Sequence, residues 1–180
     1  AHSIPSANFV ITQSLRDLEQ HTDFFPGVHK LASGGYDGRG VQIIASAQDA
    51  GKGFDAPAVL EKKVNIHKEI AQIVAVNEAG QTTLYPPVDM VFDPELNLLD
   101  YQVSPAELTE TILWKVEAIA LKVVKALASP GIFAVELFID KVGEVFVNET
   151  APRVHNSGHH TIEGNYSSQF DMLWRIILGY

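Results

Sequence analysis

The sequence predicts an α+β protein built of antiparallel sheets with packed helices, and three observations carry that prediction. Short apolar runs separated by turn residues crowd the first hundred positions, which is the pattern of hairpins rather than of alternating strand and helix units. Leu108, Ile112, Val116, Ile119, Val123 and Leu127 then recur at three- and four-residue steps, which marks one long amphipathic helix. Finally, residues 132–139 and 144–150 are two apolar runs hinged at Val142-Gly143, a second hairpin region after the helix. With 180 residues, 46% of them hydrophobic and 19% charged, the chain is large enough for a core and too apolar for disorder.

The elements follow in order. An extended lead-in over residues 4–11 precedes a short helix whose cap is Ser14 and whose apolar positions are Leu15 and Leu18. Residues 28–31 and 41–45 read as strands joined by a glycine-rich loop over 33–40, a hairpin with a mobile flap. Residues 59–64, 70–76 and 83–85 are the next strands, with Asn77-Glu78-Ala79-Gly80 as a turn; residues 88–92 and 98–103 flank another turn at Asp93-Pro94. Ser104-Pro105-Ala106-Glu107 has the form of a capping box with proline at the first helical position, so the long helix is expected to start there and run to about Ala128. Residues 151–165 read as a polar loop. A last helix over 168–178 is stopped by Gly179.

Charge and composition narrow the function. Thirteen basic and 22 acidic side chains give a formal charge of −9, a field that repels phosphate backbones and anionic lipid, so neither nucleic acid nor a membrane is an expected partner. There is no cysteine, hence no disulfide framework and no thiol nucleophile. The most apolar stretch, 111–140, is interrupted by Lys115, Lys122, Lys125 and Pro130-Gly131, and residues 1–20 lack the basic start and apolar run of a secretory leader.

Three groups of residues carry chemistry. Gly34-Gly35-Tyr36-Asp37-Gly38-Arg39-Gly40, just after Lys30, places four glycines in seven residues, and glycine lets backbone N–H groups approach an anion closely. It matches neither the Walker loop nor the dinucleotide fingerprint, and a plain flexible hairpin tip remains open. On the late hairpin, period two puts Ile132, Ala134, Glu136 and Phe138 on one face, and Val145, Val147 and Glu149 on one face of the partner strand. A turn centred between Val142 and Gly143 pairs residues whose numbers total 285, which sets Glu136 opposite Glu149. Opposed like charges destabilise a sheet unless a cation lies between them, so the pair predicts a magnesium site; two solvent-facing glutamates are the alternative. Arg153, His155 and Asn156 follow at once, donors suited to an oxyanion. Zinc would need His155, His159 and His160 on a helix, and Pro152, Asn156, Ser157 and Gly158 argue for irregular chain.

Taken in order, Lys30, the glycine loop, Phe133-Ala134-Val135-Glu136-Leu137-Phe138, and the run Val147-Asn148-Glu149-Thr150-Ala151-Pro152-Arg153-Val154-His155-Asn156-Ser157-Gly158-His159 resemble an ATP-grasp enzyme. The resemblance is strongest to the 5-(carboxyamino)imidazole ribonucleotide synthase family of purine biosynthesis. It extends from Ile4-Pro5-Ser6 to Ser167-Ser168-Gln169-Phe170-Asp171 and is looser over 51–100. The resemblance implies an ATP-grasp fold over residues 1–180, and a cytoplasmic ligase that carboxylates aminoimidazole ribonucleotide with bicarbonate through carboxyphosphate, using ATP and Mg2+. It implies ATP contacts from Lys30, Gly35, Tyr36, Asp37, Gly38, Arg39, Gly40 and Asn148, with adenine held by Glu61, Lys62, Lys63 and Val64 and packed on Phe138, and with Glu69 on the ribose. Glu136 and Glu149 hold the metal, and Arg153, His155 and Asn156 bind bicarbonate. Family members carry a nucleotide-fold domain before this region and a small domain after it. The chain is therefore expected to be a fragment that binds ATP without turnover, the full-length enzyme being a homodimer. Another ATP-grasp carboxylate–amine ligase, or a catalytically idle ATP-binding module, would share the glutamates and the glycine loop.

Overall fold

Residues 2–35, 39–93 and 99–180 are described by the computed structural model. They divide into two units, one made of residues 7–65 and the other of residues 2–6, 66–93 and 99–180. Both sheets are antiparallel throughout, as the hairpin pattern predicts.

In the first unit, β1 (Phe9–Thr12), β2 (Gly27–Leu31), β3 (Val41–Ile44) and β4 (Ala58–Lys62) form a sheet of order β1-β4-β2-β3. Helix α1 (Leu15–Leu18) is capped as expected, the Ser14 hydroxyl accepting from the Asp17 N–H. One sheet face buries His29, Ile44, Ala58 and Leu60 with Leu18 and Ala50. His29 is enclosed completely: its Nε2 lies 2.8 Å from the Thr12 hydroxyl, its Nδ1 accepts from the Phe54 N–H, and Phe54 stacks on the ring. The opposite face carries exposed Phe9, Ile11, Val41 and Ile43 around Lys30 and Glu61, as their registers require.

The second unit is a six-stranded sheet with a helix on each face. Its strands are β5 (Ile66–Val76), β6 (Thr82–Leu84), β7 (Val88–Phe92), β8 (Leu99–Val103), β9 (Gly131–Asp140) and β10 (Val145–Ala151), in the order β10-β9-β5-β7-β8 with β6 beside β5. Helix α2 (Glu110–Leu127) covers one face through Val116, Ala120, Val123 and Val124, which meet Ile70, Val74, Phe133, Val135, Leu137, Ile139 and Val145. Helix α4 (Gln169–Ile177) covers one end of the other face, where Ile176, Met172 and Leu173 meet Ile73, Ala75, Ile132, Ala134 and Ala151. The capping box Ser168/Asp171 starts α4 and Gly179, at φ +77°, ends it.

The strand expected over 59–64 ends at Lys62, and three further boundaries differ from the sequence expectation. Strand β5 begins at Ile66 rather than residue 70, because Lys68 and Glu69 pair with Ile139 and Phe138 of β9, a partnership their polar side chains do not advertise. Helix α2 begins at Glu110 under the cap of Thr109, not at Ser104: the Ala106 N–H is committed to the Pro87 carbonyl at 2.7 Å, and Ala106 and Leu108 pack on the core, which outweighs the local capping preference. The loop 151–165 contains a single 3-10 turn, Asn156–Gly158, and a short helix, α3 (Thr161–Gly164). Tyr36, Asp37 and Gly38 of the glycine loop, and the turn residues 94–98, lie outside the described residues.

Candidate functional site

The half of the sheet face that α4 leaves open carries the acids. Across the strands, Glu136 is opposite Ala71 of β5 and Glu149 of β10, while Phe138 is opposite Glu69 of β5 and Phe146 of β10. Paired residues of an antiparallel sheet project to the same side, so Glu69, Glu136, Phe138 and Glu149 share one surface.

The opposition of Glu136 and Glu149 is the pairing expected from the sequence, reached by a different register. The hairpin starts with Val145 opposite Ile139 and Val147 opposite Leu137, one step away from the expected alignment, and shifts between Val147 and Glu149. Asn148 is the extra residue. It breaks the strict alternation, so Val145 and Val147 do not share a face with Glu149 as expected: the two valines face α2 and Glu149 faces the other way. Were the initial register to continue, Glu149 would stand opposite Val135 and point into the α2 core. The bulge at Asn148 is what brings the second carboxylate to the first.

His155 completes the cluster. A carboxylate oxygen from each glutamate and a ring nitrogen of His155 lie within 4.8 Å of one another, with His155 Nδ1 3.7 Å from Glu136 Oε1. Burial, reinforced by the charges of Glu149 and Glu69, pushes the Glu136 carboxyl up to about 7. Burial also raises Glu69. Two opposed carboxylates, one of them disfavoured in its ionised form, are a hard oxygen donor set that a divalent cation would neutralise. The histidines do not converge as a zinc site requires: His159 stacks on Phe170, and His160 Nδ1 is paired with the Ser157 carbonyl.

The other predicted residues divide between the two units. Arg153 and Asn156 are exposed; the Arg153 guanidinium donates to the Val154 carbonyl, and the Asn156 carbonyl accepts from the Gln102 side chain. Asn148 is half-buried. In the first unit Lys30 Nζ is 2.8 Å from Glu61 Oε2, both side chains about three-quarters covered. The Lys62 and Lys63 amides bond to the carbonyls of Asn8 and Pro26, so they are engaged inside the sheet, and Val64 is half-buried directly before the chain enters the second unit. Gly35 and Gly40 meet at the base of the glycine loop; a Cβ on Gly35 would sit 2.9 Å from the Arg39 carbonyl, and Gly40 has φ +84°. Arg39 is exposed.

Sequence reasoning passed over Gln169. It is fully buried, and its side chain bonds the backbone of His155 twice: Oε1 accepts from the His155 N–H at 2.9 Å and Nε2 donates to the His155 carbonyl at 2.8 Å. Nothing in its type or spacing signals this, since a glutamine at a helix start reads as surface.

A two-unit fold of antiparallel sheets, with paired carboxylates on one unit and a largely covered lysine on an interior strand of the other, defines a class, and the sequence comparison agrees: a profile of the ATP-grasp domain matches residues 1–170. The chain belongs to the ATP-grasp family. Within it, the chain is 40% identical over 154 residues to the chloroplastic phosphoribosylaminoimidazole carboxylase of Vigna aconitifolia, covering 80% of this chain and 26% of that one. It is 37% identical over 162 residues to the N5-carboxyaminoimidazole ribonucleotide synthase of Mycobacterium leprae, covering 86% of this chain and 36% of that one. Among solved structures, N5-carboxyaminoimidazole ribonucleotide synthetase from Thermotoga maritima superposes with a TM-score of 0.85 at 37% identity, over 99% of this chain and 45% of that one. The Aspergillus clavatus synthase complexed with ATP gives 0.91 at 31%, over 98% and 48%. The chain thus spans about a quarter to a half of the length of these relatives. Among the described residues, no helix is long and apolar enough to cross a membrane.

Proposed function

We propose that residues 1–180 supply the ATP-grasp part of a ligase that uses ATP and bicarbonate to carboxylate 5-aminoimidazole ribonucleotide, giving 5-(carboxyamino)imidazole ribonucleotide, ADP and phosphate. The observation that carries the proposal is the bulge at Asn148, which sets Glu149 against Glu136 within reach of His155. The similarity to carboxyaminoimidazole synthases supports the choice of substrate, one of those structures being in complex with ADP and 5-aminoimidazole ribonucleotide.

Glu136 and Glu149 would hold Mg2+, which when bound neutralises charge on the nucleotide phosphates. Phe138 offers a half-buried ring on the same surface for the adenine, and Glu69 beside it offers a carboxylate to the ribose hydroxyls. Lys30, held by Glu61, meets the phosphates as a fixed cation together with the glycine loop. Since the Lys62 and Lys63 amides are engaged and Glu61 is paired on both sides within the sheet, recognition of the base would fall to Val64. Bicarbonate would be positioned by Arg153, His155 and Asn156 for in-line attack on the terminal phosphate, giving carboxyphosphate and ADP. The enzyme acts as a soluble cytoplasmic catalyst on small molecules.

Glu149→Gln tests this directly, because it keeps shape and removes one charge. ATP titrations with and without magnesium should show at least about tenfold weaker magnesium-dependent binding in the variant, with thermal unfolding little changed. Wild-type affinity would remove the metal role. Bicarbonate-dependent ADP formation by the full-length protein separates this ligase from other carboxylate–amine ligases and from an idle module.

A further inference from the structure

The loop that carries His155 is held by a side chain with no place in the reaction itself. Gln169 is fully buried at the start of α4, fourteen residues from His155, and meets the His155 peptide with both ends of its amide, 2.9 Å at the N–H and 2.8 Å at the carbonyl. That is the two-point pairing of a strand ladder, made by a side chain where no strand runs. Gln169 is itself immobilised. Its own N–H donates to the Thr161 hydroxyl, which donates in turn to the Gly158 carbonyl at 2.6 Å, and Thr161 is also fully buried. The amide lies flat on Gly158: a Cβ there would come within 2.6 Å of Gln169 Cδ. Both ends of the four-residue segment 155–158 are therefore registered against one glutamine. Between them, Ser157 bonds His155 Nδ1 through its hydroxyl at 2.9 Å, which orients the ring whose Nδ1 lies 3.7 Å from Glu136.

We infer that Gln169 is a positioning residue, which sets the place of His155 against the Glu136–Glu149 pair by clamping its peptide group from α4. The inference rests on the proposed role of His155 toward bicarbonate and goes beyond it by naming what fixes that histidine. A side chain on a rigid helix suits the task, since a displacement of about 1 Å in a reacting group can cost on the order of a hundredfold in rate.

Gln169→Glu and Gln169→Leu, with His155→Ala as reference, test it in the full-length protein. In Gln169→Glu one oxygen still accepts from the His155 N–H, while the other faces the His155 carbonyl and can bond it only when protonated. Its activity relative to wild type should therefore recover as pH falls from 8 to 6, whereas the ratio for Gln169→Leu stays level. At pH 8, kcat/KM for bicarbonate should drop on the order of a hundredfold, with the dissociation constant for ATP within about twofold of wild type. NMR of the His155 amide and ring should show both signals moved and the amide exchanging faster. Equal losses toward ATP and bicarbonate, or a Gln169→Glu ratio flat with pH, would overturn the inference, as would unmoved His155 signals. If His155→Ala keeps wild-type bicarbonate kinetics, the proposed role of His155 falls, and the NMR arm alone still decides whether Gln169 places it.

Discussion

Replacing Glu136 by glutamine should stabilise the metal-free protein at alkaline pH while removing its metal-dependent function. The Glu136 side chain is 15% exposed, and burial first, then the charges of Glu149 and Glu69, push its carboxyl to about 7 from an ordinary value of 4.5. A carboxyl raised in the folded state contributes its stability in full below about pH 4.5, and that contribution is lost as pH rises through 7, where the folded chain must carry the unfavourable charge. The distance from 4.5 to about 7, at ~1.36 kcal/mol per pH unit, amounts to about 3 kcal/mol. Glutamine has nearly the same shape and never ionises. In EDTA at pH 8 the Glu136→Gln protein should therefore unfold about 6–12 °C above wild type, at roughly 2–4 °C per kcal/mol for a chain of this size, and the gap should narrow as pH falls and close by about pH 4. Adding magnesium and a nonhydrolysable ATP analogue should raise the Tm of wild type alone. Because burial is the larger cause, Glu149→Gln should narrow the same pH dependence only in part. A variant less stable than wild type at pH 8, or a gap that does not change with pH, would falsify the view that Glu136 is a desolvated carboxylate awaiting a cation.

Three further outcomes concern His29, Gly158 and Ser168. Burial pushes the His29 imidazole below its ordinary value, so its contribution is complete above about pH 6.5 and is lost as pH falls toward its depressed folded value; amide protection factors of the Gly27–Leu31 strand should fall with acid in wild type and do so less in His29→Asn. Gly158→Ala drives a methyl into the Gln169 amide, which is too constrained to yield, and should cost about 1–3 kcal/mol in thermal unfolding; a neutral effect would show the 155–158 turn to be looser than its hydrogen bonds imply. Ser168→Ala removes the hydroxyl half of the α4 capping box, leaving the residue-168 N–H on the Asp171 carboxylate, and should cost about 1 kcal/mol by denaturant melting, with no change in a chain where α4 does not rest on that cap.

Period two and period 3.6, with the turn residues between them, determined by themselves the strands, the two principal helices and the antiparallel class, because these are properties of one segment and its own burial pattern. They also singled out Glu136 and Glu149, each an acid on an apolar strand. What they could not determine depends on partners far along the chain. The start of β5 at Ile66 is set by β9, some seventy residues on, and the start of α2 is set by a carbonyl at Pro87 that takes the Ala106 N–H. The Glu136–Glu149 pairing shows the distinction most sharply: alternation alone carries Val145, Val147 and Glu149 to one side, and only the bulge at Asn148, fixed by pairing against β9 and by the pull of Val145 and Val147 into the α2 core, turns Glu149 to the other. Gln169 was invisible for the same reason, since a glutamine becomes a clamp only when a sheet, a helix and a loop enclose it together and leave its amide a single peptide to bond.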